Sequence, residues 1–172
     1  MIQFQHAETW KSKWLLIFKL WLVYVLGFTA AIFILYYPVI EPNLQVYKKE
    51  YASYFYPGNL YDFLAYNAWM AAILEEAEAR GPAWLLVASG FTWTIKGYRA
   101  DKALAWLLLI AGTAWWSWDG HLALNWSIFI AGLGWGWLVV KTRSLWPAMV
   151  SHGLANLTIF VAIRILSIFT KP

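Results

Sequence analysis

The sequence predicts an all-α polytopic bundle of about five membrane-spanning helices plus one short interfacial helix, and three observations predict it. Of the 172 residues, 62% are hydrophobic and 13% charged, whereas a soluble domain is about half apolar and about a quarter charged. The apolar residues gather in runs near the ~20 residues needed to cross a bilayer. Tryptophan and tyrosine number 14 and 10, and such side chains, apolar with a polar tip, settle at bilayer interfaces.

The first span is expected over about Lys19 to Tyr37, after Lys11 and Lys13 and before Pro38 and Pro42. A polar, Tyr-rich connector follows to Asn59. The second span runs from about Leu60 to Arg80, where Gly81-Pro82 is expected to interrupt it, because proline removes a backbone donor and clashes one turn back. Ala83 to Ile95 is apolar but short, and reads as a broken continuation lying at the interface, ended by Lys96, Arg99 and Lys102. The third span covers Ala103 to Trp118, the fourth His121 to Val140, and the fifth Trp146 to about Phe169. Residues 1–172 form a single integral-membrane domain, with the chemistry-bearing core at about 60–162.

Lys11, Lys13, Lys19, Lys96, Arg99, Lys102, Lys141 and Arg143 fall on one side of these spans, against Lys48, Lys49 and Lys171 on the other. The positive-inside rule then places the N-terminus in the cytoplasm, and the expected location is a prokaryotic inner membrane. The net charge of +4 thus reports topology, so the bilayer is an expected partner and nucleic acid is not. The first apolar run is too long for a cleavable signal peptide and lacks a small-x-small site after it. With no cysteine, disulfides and thiolate chemistry are excluded.

Against this background the stretch Glu75-Glu76-Ala77-Glu78-Ala79-Arg80-Gly81 needs a reason to exist. A charge at the middle of a membrane helix costs about 2.5–3.5 kcal/mol even on the lenient insertion scale. Glu76 and Arg80, four apart, share a helix face and can pair, with Glu75 about 100° around. The arginine would hold one carboxylate ionised and leave the other for acid–base work. A structural Glu–Arg staple is the plain alternative for this segment by itself. Glu78 points elsewhere and is given no role. His121 and His152 lie on other helices, and Asn156 follows His152 by four residues on the same face. Such side chains are costly unless they meet in one polar site.

In order and spacing these residues resemble the CPBP family of intramembrane proteases, also called the type II CAAX prenyl endopeptidase and Abi family. Glu75-Glu76-x-x-x-Arg80 looks like its first motif, His121 like its second, and Ser144-Leu145-Trp146-Pro147 with His152-x-x-x-Asn156 like its third. One departure is Ser117 where the second motif usually carries phenylalanine. The resemblance implies a glutamate-type protease acting on membrane-associated protein or peptide substrates. Glu75 and His121 would activate water, His152 and Asn156 would stabilise the oxyanion, and Glu76 with Arg80 would support Glu75.

Other readings use the same residues. Glu75, Glu76, His121 and His152 are zinc-ligand types, but HExxH is absent and Asn156 is a poor zinc ligand, so no cofactor is expected. An inactive relative acting as an immunity or scaffold protein also fits. A transporter is disfavoured by the lack of an inverted repeat. The oligomeric state is left open, with Gly132-x-x-x-Gly136 expected to pack helices within the monomer. For Glu75 to reach the depth of His152, the second helix must leave the membrane at Gly81-Pro82.

Overall fold

The structure, a computed structural model, describes residues 9–35, 63–90, 92–95, 97–119 and 125–169. They form α1 (Trp10–Leu35), a π-helical segment (Phe63–Met70) leading into α2 (Ala71–Ala88), a hairpin of β1 (Thr94–Ile95) and β2 (Tyr98–Arg99), α3 (Ala100–Asp119), α4 (Asn125–Thr142) and α5 (Trp146–Phe169). Among the described residues the fold is all-α apart from this two-stranded antiparallel hairpin. No helix among the described residues is long and apolar enough to cross a membrane.

α1 begins earlier than expected, at Trp10, because the lysines read as its flank are good helix formers. Thr9 caps it: the Thr9 hydroxyl accepts from the Ser12 backbone N–H at 3.3 Å, satisfying an orphan donor of the first turn. α1 then runs parallel to α5. Trp10 and Trp14 meet the Trp146 ring, and the Trp21 indole donates to Thr158 Oγ1 at 2.9 Å.

The expected break at Gly81-Pro82 does not occur, since α2 continues through Pro82 to Ala88. Part of the proline penalty is a clash with the Cβ of the preceding residue, and Gly81 has none. The lost hydrogen bond, to the Glu78 carbonyl, is offset by burial of Ala79, Arg80 and Ala83 on the same helix. Pro82→Ala restores that bond and is expected to raise stability by up to about 3 kcal/mol, read as thermal unfolding in detergent. The interfacial helix expected over Ala83 to Ile95 is accordingly replaced by the end of α2 and the β1–β2 hairpin.

The hairpin is fixed at its base by Asp101 in the first turn of α3. Arg99 grips both Asp101 oxygens, and the Trp93 N–H donates to Asp101 Oδ1 at 3.2 Å. The Arg99 fork holds the Asp101 carboxyl well below the usual carboxylate range. Trp93 O in turn accepts from the first amides of α3. This brings the start of α3 forward to Ala100, ahead of the expected Ala103.

α3 packs against both α2 and α4 at glycines. A Cβ on Gly112 would collide with the Ala79 carbonyl, and one on Gly136 with the Leu109 side chain. Leu109 opposite Gly136, and Thr113 opposite Gly132, set α3 and α4 antiparallel. The Gly132/Gly136 pair therefore packs helices within the chain. α4 ends at Thr142, and the φ of 53° at Arg143 is the left-handed turn used to stop helices. α5 starts at once, with Pro147 in its first turn, where a missing N–H costs nothing.

Candidate active site

The site forms where α2 and α5 cross. Gly153 lets them approach, because a Cβ there would press into the Trp69 ring and the Ala68 carbonyl just before α2. Its neighbour His152 is thereby brought against the two glutamates. His152 Nδ1 lies 3.0 Å from Glu76 Oε1, and Nε2 lies 3.6 Å from Glu75 Oε2. The helix break expected at Gly81-Pro82 is not needed for this meeting: α2 continues to Ala88, and the groups meet within the bundle.

The two carboxylates occupy different environments. Glu76 is fully buried, with Oε1 3.2 Å from Arg80 Nη1. The pair is an i,i+4 contact on one helix face, close enough for strong attraction but without hydrogen-bond alignment at Nη1. The Glu75 side chain is 31% exposed and is hydrogen-bonded by Trp116. One glutamate is thus enclosed beside the guanidinium, and the other has open access.

Aromatic rings hold the cation and the imidazole. Arg80 is fully buried, with its guanidinium 4.7 Å from the Trp116 ring centroid and 5.8 Å from that of Trp135. A desolvated cation over tryptophan gains about 2 kcal/mol. His152 stacks on Trp135 with centroids 3.9 Å apart and a 13° interplanar angle, and meets Trp116 edge-on at 5.5 Å. The ring is clamped from two sides and its nitrogens point at carboxylates.

Asn156 is buried one turn beyond His152 on α5. His121 lies outside the described residues. Among the described residues, no group of three His, Cys, Asp or Glu side chains is arranged to hold a metal.

Sequence reasoning missed Trp116, Trp135, Thr113 and Gly132 as parts of this site. Composition alone makes tryptophan an interfacial residue, yet Trp116 and Trp135 are buried. The available signal was position, since Trp135 falls well inside its helix rather than at an end. Gly132 leaves the space that Arg80 fills: a Cβ there would strike Nη2 of Arg80 and come within 2.6 Å of Thr113 Cγ2. Gly132→Ala is expected to cost about 1–3 kcal/mol through overpacking. Gly27→Ala, where nothing lies within 4 Å, should be neutral or stabilising. Thermal unfolding of both in the same detergent checks the contrast.

A family model described as Type II CAAX prenyl endopeptidase Rce1-like matches residues 57–158. No curated protein and no solved structure matches the chain.

Proposed function

This chain belongs to the Rce1-like family of type II CAAX prenyl endopeptidases, and from that premise we propose that it is a glutamate-type intramembrane endopeptidase. The observation that carries the reading is His152 held between two unlike carboxylates, one buried with Arg80 and one open. Glu76 Oε1 accepts from His152 Nδ1–H and so sets the orientation of the ring. In the protonated ring, Nε2–H faces the side of Glu75.

Glu75 takes a proton from water, and the resulting hydroxide adds to the scissile carbonyl carbon. His121 is assigned to hold that water with Glu75. The oxyanion that forms accepts from His152 Nε2–H and from the Asn156 amide, donors that gain most as the charge develops. Glu75 returns its proton to the leaving amine as the C–N bond breaks, leaving a carboxylic acid, which gives up its proton to solvent, and a free amine. Arg80 and Glu76 hold the geometry through this sequence, and no cofactor is required by it.

A bilayer location is supported by the exposed apolar surface. Leu15, Phe18, Val23, Leu26, Leu107, Ile110 and Ile130 all face outward, more than a soluble protein leaves uncovered. α4 carries three tryptophans and three glycines, residues that score near neutral in hydropathy yet carry no charge. Its 18 residues span roughly 27 Å, near the ~30 Å of a hydrocarbon core. Exposed aromatic residues stand at both limits: Trp118 and Trp126 near its start, Trp10 and Trp14 near its end. In this reading the N-terminus is cytoplasmic and the substrates are membrane-associated proteins or peptides.

The test compares membrane proteomes of cells carrying the wild-type protein and the Glu75→Ala variant, with and without chelator. New N- or C-termini that appear only with wild type, chelator or not, are expected. Identical proteomes would overturn the protease assignment.

A further inference from the structure

The two ends of the bundle carry different exposed side chains. α4 stops and α5 starts at one end, separated by only three residues. The start of α1 joins them there through Trp10, Trp14 and Trp146. Because α3 is antiparallel to α4, its start and the β1–β2 hairpin before it lie at the same end. Lys11, Lys13, Arg99, Lys102, Lys141 and Arg143 all belong to this end. Among the described residues with placed side chains, no basic residue lies at the opposite end, and the exposed Lys19 sits partway along α1.

The hairpin itself is built to project. Its strands are two residues long, too short to enclose a core of their own, and Gly97 takes a φ of 82° at the turn. Tyr98 is 80% exposed, Ile95 47% and Trp93 46%. The Arg99–Asp101 fork pins the base, so this apolar tip is held outward by a rigid support. Exposed Lys102 follows immediately on α3.

We propose that the β1–β2 hairpin is a lipid anchor, seating Ile95 and Tyr98 among the headgroups of an anionic phospholipid leaflet. The claim rests on the bilayer reading given above. Aromatic residues flanked by cations are the side chains that partition to a charged headgroup layer. The occupant is lipid rather than a protein because the exposed aromatics surround this end. Trp10 and Trp14 lie on α1 and the hairpin lies beside α2 and α3, so a continuous surface meets both and a single docked protein does not. The hairpin thus fixes the depth of α2, and with it the depth at which Glu75 meets a substrate.

The chain has no cysteine, so single spin labels report single positions. The full chain carrying Tyr98→Cys, or Leu107→Cys on the exposed face of α3, is labelled and reconstituted in bilayers. The bilayers contain phosphatidylcholine alone or with phosphatidylglycerol, and labels are probed by collision with oxygen and with a water-soluble nickel complex. Position 107 is expected to be oxygen-accessible in both membranes. Position 98 is expected to be shielded from nickel with phosphatidylglycerol. That shielding should weaken at least twofold when phosphatidylglycerol is omitted or Lys102→Glu is introduced. Full nickel access at 98 with 107 still in the acyl region would overturn the anchor and leave the bilayer reading standing. Nickel access at both positions would overturn the bilayer reading as well. Equal shielding at 98 in the two membranes would overturn the preference for anionic lipid. Shielding that disappears on dilution with unlabelled chain, together with label–label broadening, would assign the hairpin to a second copy instead.

Discussion

Replacing Glu75 with alanine or glutamine is expected to lower peptide cleavage by about 10²–10⁴-fold, the range supplied by a positioned acid–base group. The fold should hardly register the change. The Glu75 side chain is partly exposed at 31%, and the buried ion pair of its neighbour remains intact. Glu75→Asp tests position rather than charge, because one methylene less withdraws the carboxylate from His152 Nε2, now 3.6 Å away. It should retain the ionisation and lose most of the rate. Purified wild type and variants, assayed on one membrane-embedded substrate with unfolding measured in parallel, decide the matter. Turnover by Glu75→Ala within tenfold of wild type would remove Glu75 from the chemistry.

Arg80→Met should act in the opposite way, on stability before activity. Arg80 and Glu76 are both fully buried, so removing the cation strands an anion in a low-dielectric interior. Breaking a buried pair from one side costs about 3–5 kcal/mol. For a chain of this size that corresponds to a fall in Tm of roughly 6–20 °C. The double variant Glu76→Gln, Arg80→Met contains no stranded charge and should regain most of the loss, since a buried pair adds little over a neutral filling of the same volume. It should stay inactive, because His152 no longer has an anion at Nδ1. A single Arg80→Met variant as stable as wild type would mean that Glu76 is not charged in the folded protein.

The polar residues gathered around His152 are more legible in the sequence than the packing that holds them. Glu75, Glu76, Arg80 and His152 were legible because charges are expensive in an apolar chain and therefore conspicuous. The i,i+4 spacing of Glu76 and Arg80 translates directly into a contact on one helix. α5 was equally legible, bounded by Pro147 at its start and carrying a predominantly apolar run to Phe169. What could not be read was anything set by approach between helices. Gly81-Pro82 looked like a break because local propensity forbids proline in a helix, and tertiary burial overrode it. The β1–β2 hairpin was hidden because its stability lies in the Arg99–Asp101 fork, not in an alternating strand pattern. Trp116 and Trp135 were invisible as site residues, since composition does not distinguish a ring facing lipid from one stacked on an imidazole.

The parallel alignment of α1 with α5 has a consequence for biogenesis. The bond between Trp21 and Thr158 joins residues 137 apart, and the contact between Glu76 and His152 joins residues 76 apart. Neighbours such as α2, α3 and α4 can associate as they are synthesised, whereas contacts this distant in the chain must wait. α1 therefore finds its place on α5 only after the helices between them have been made. The pairing of Glu76 with His152 cannot form on a ribosome that has not yet translated beyond residue 152, so the proposed site stays unassembled until α5 has been made.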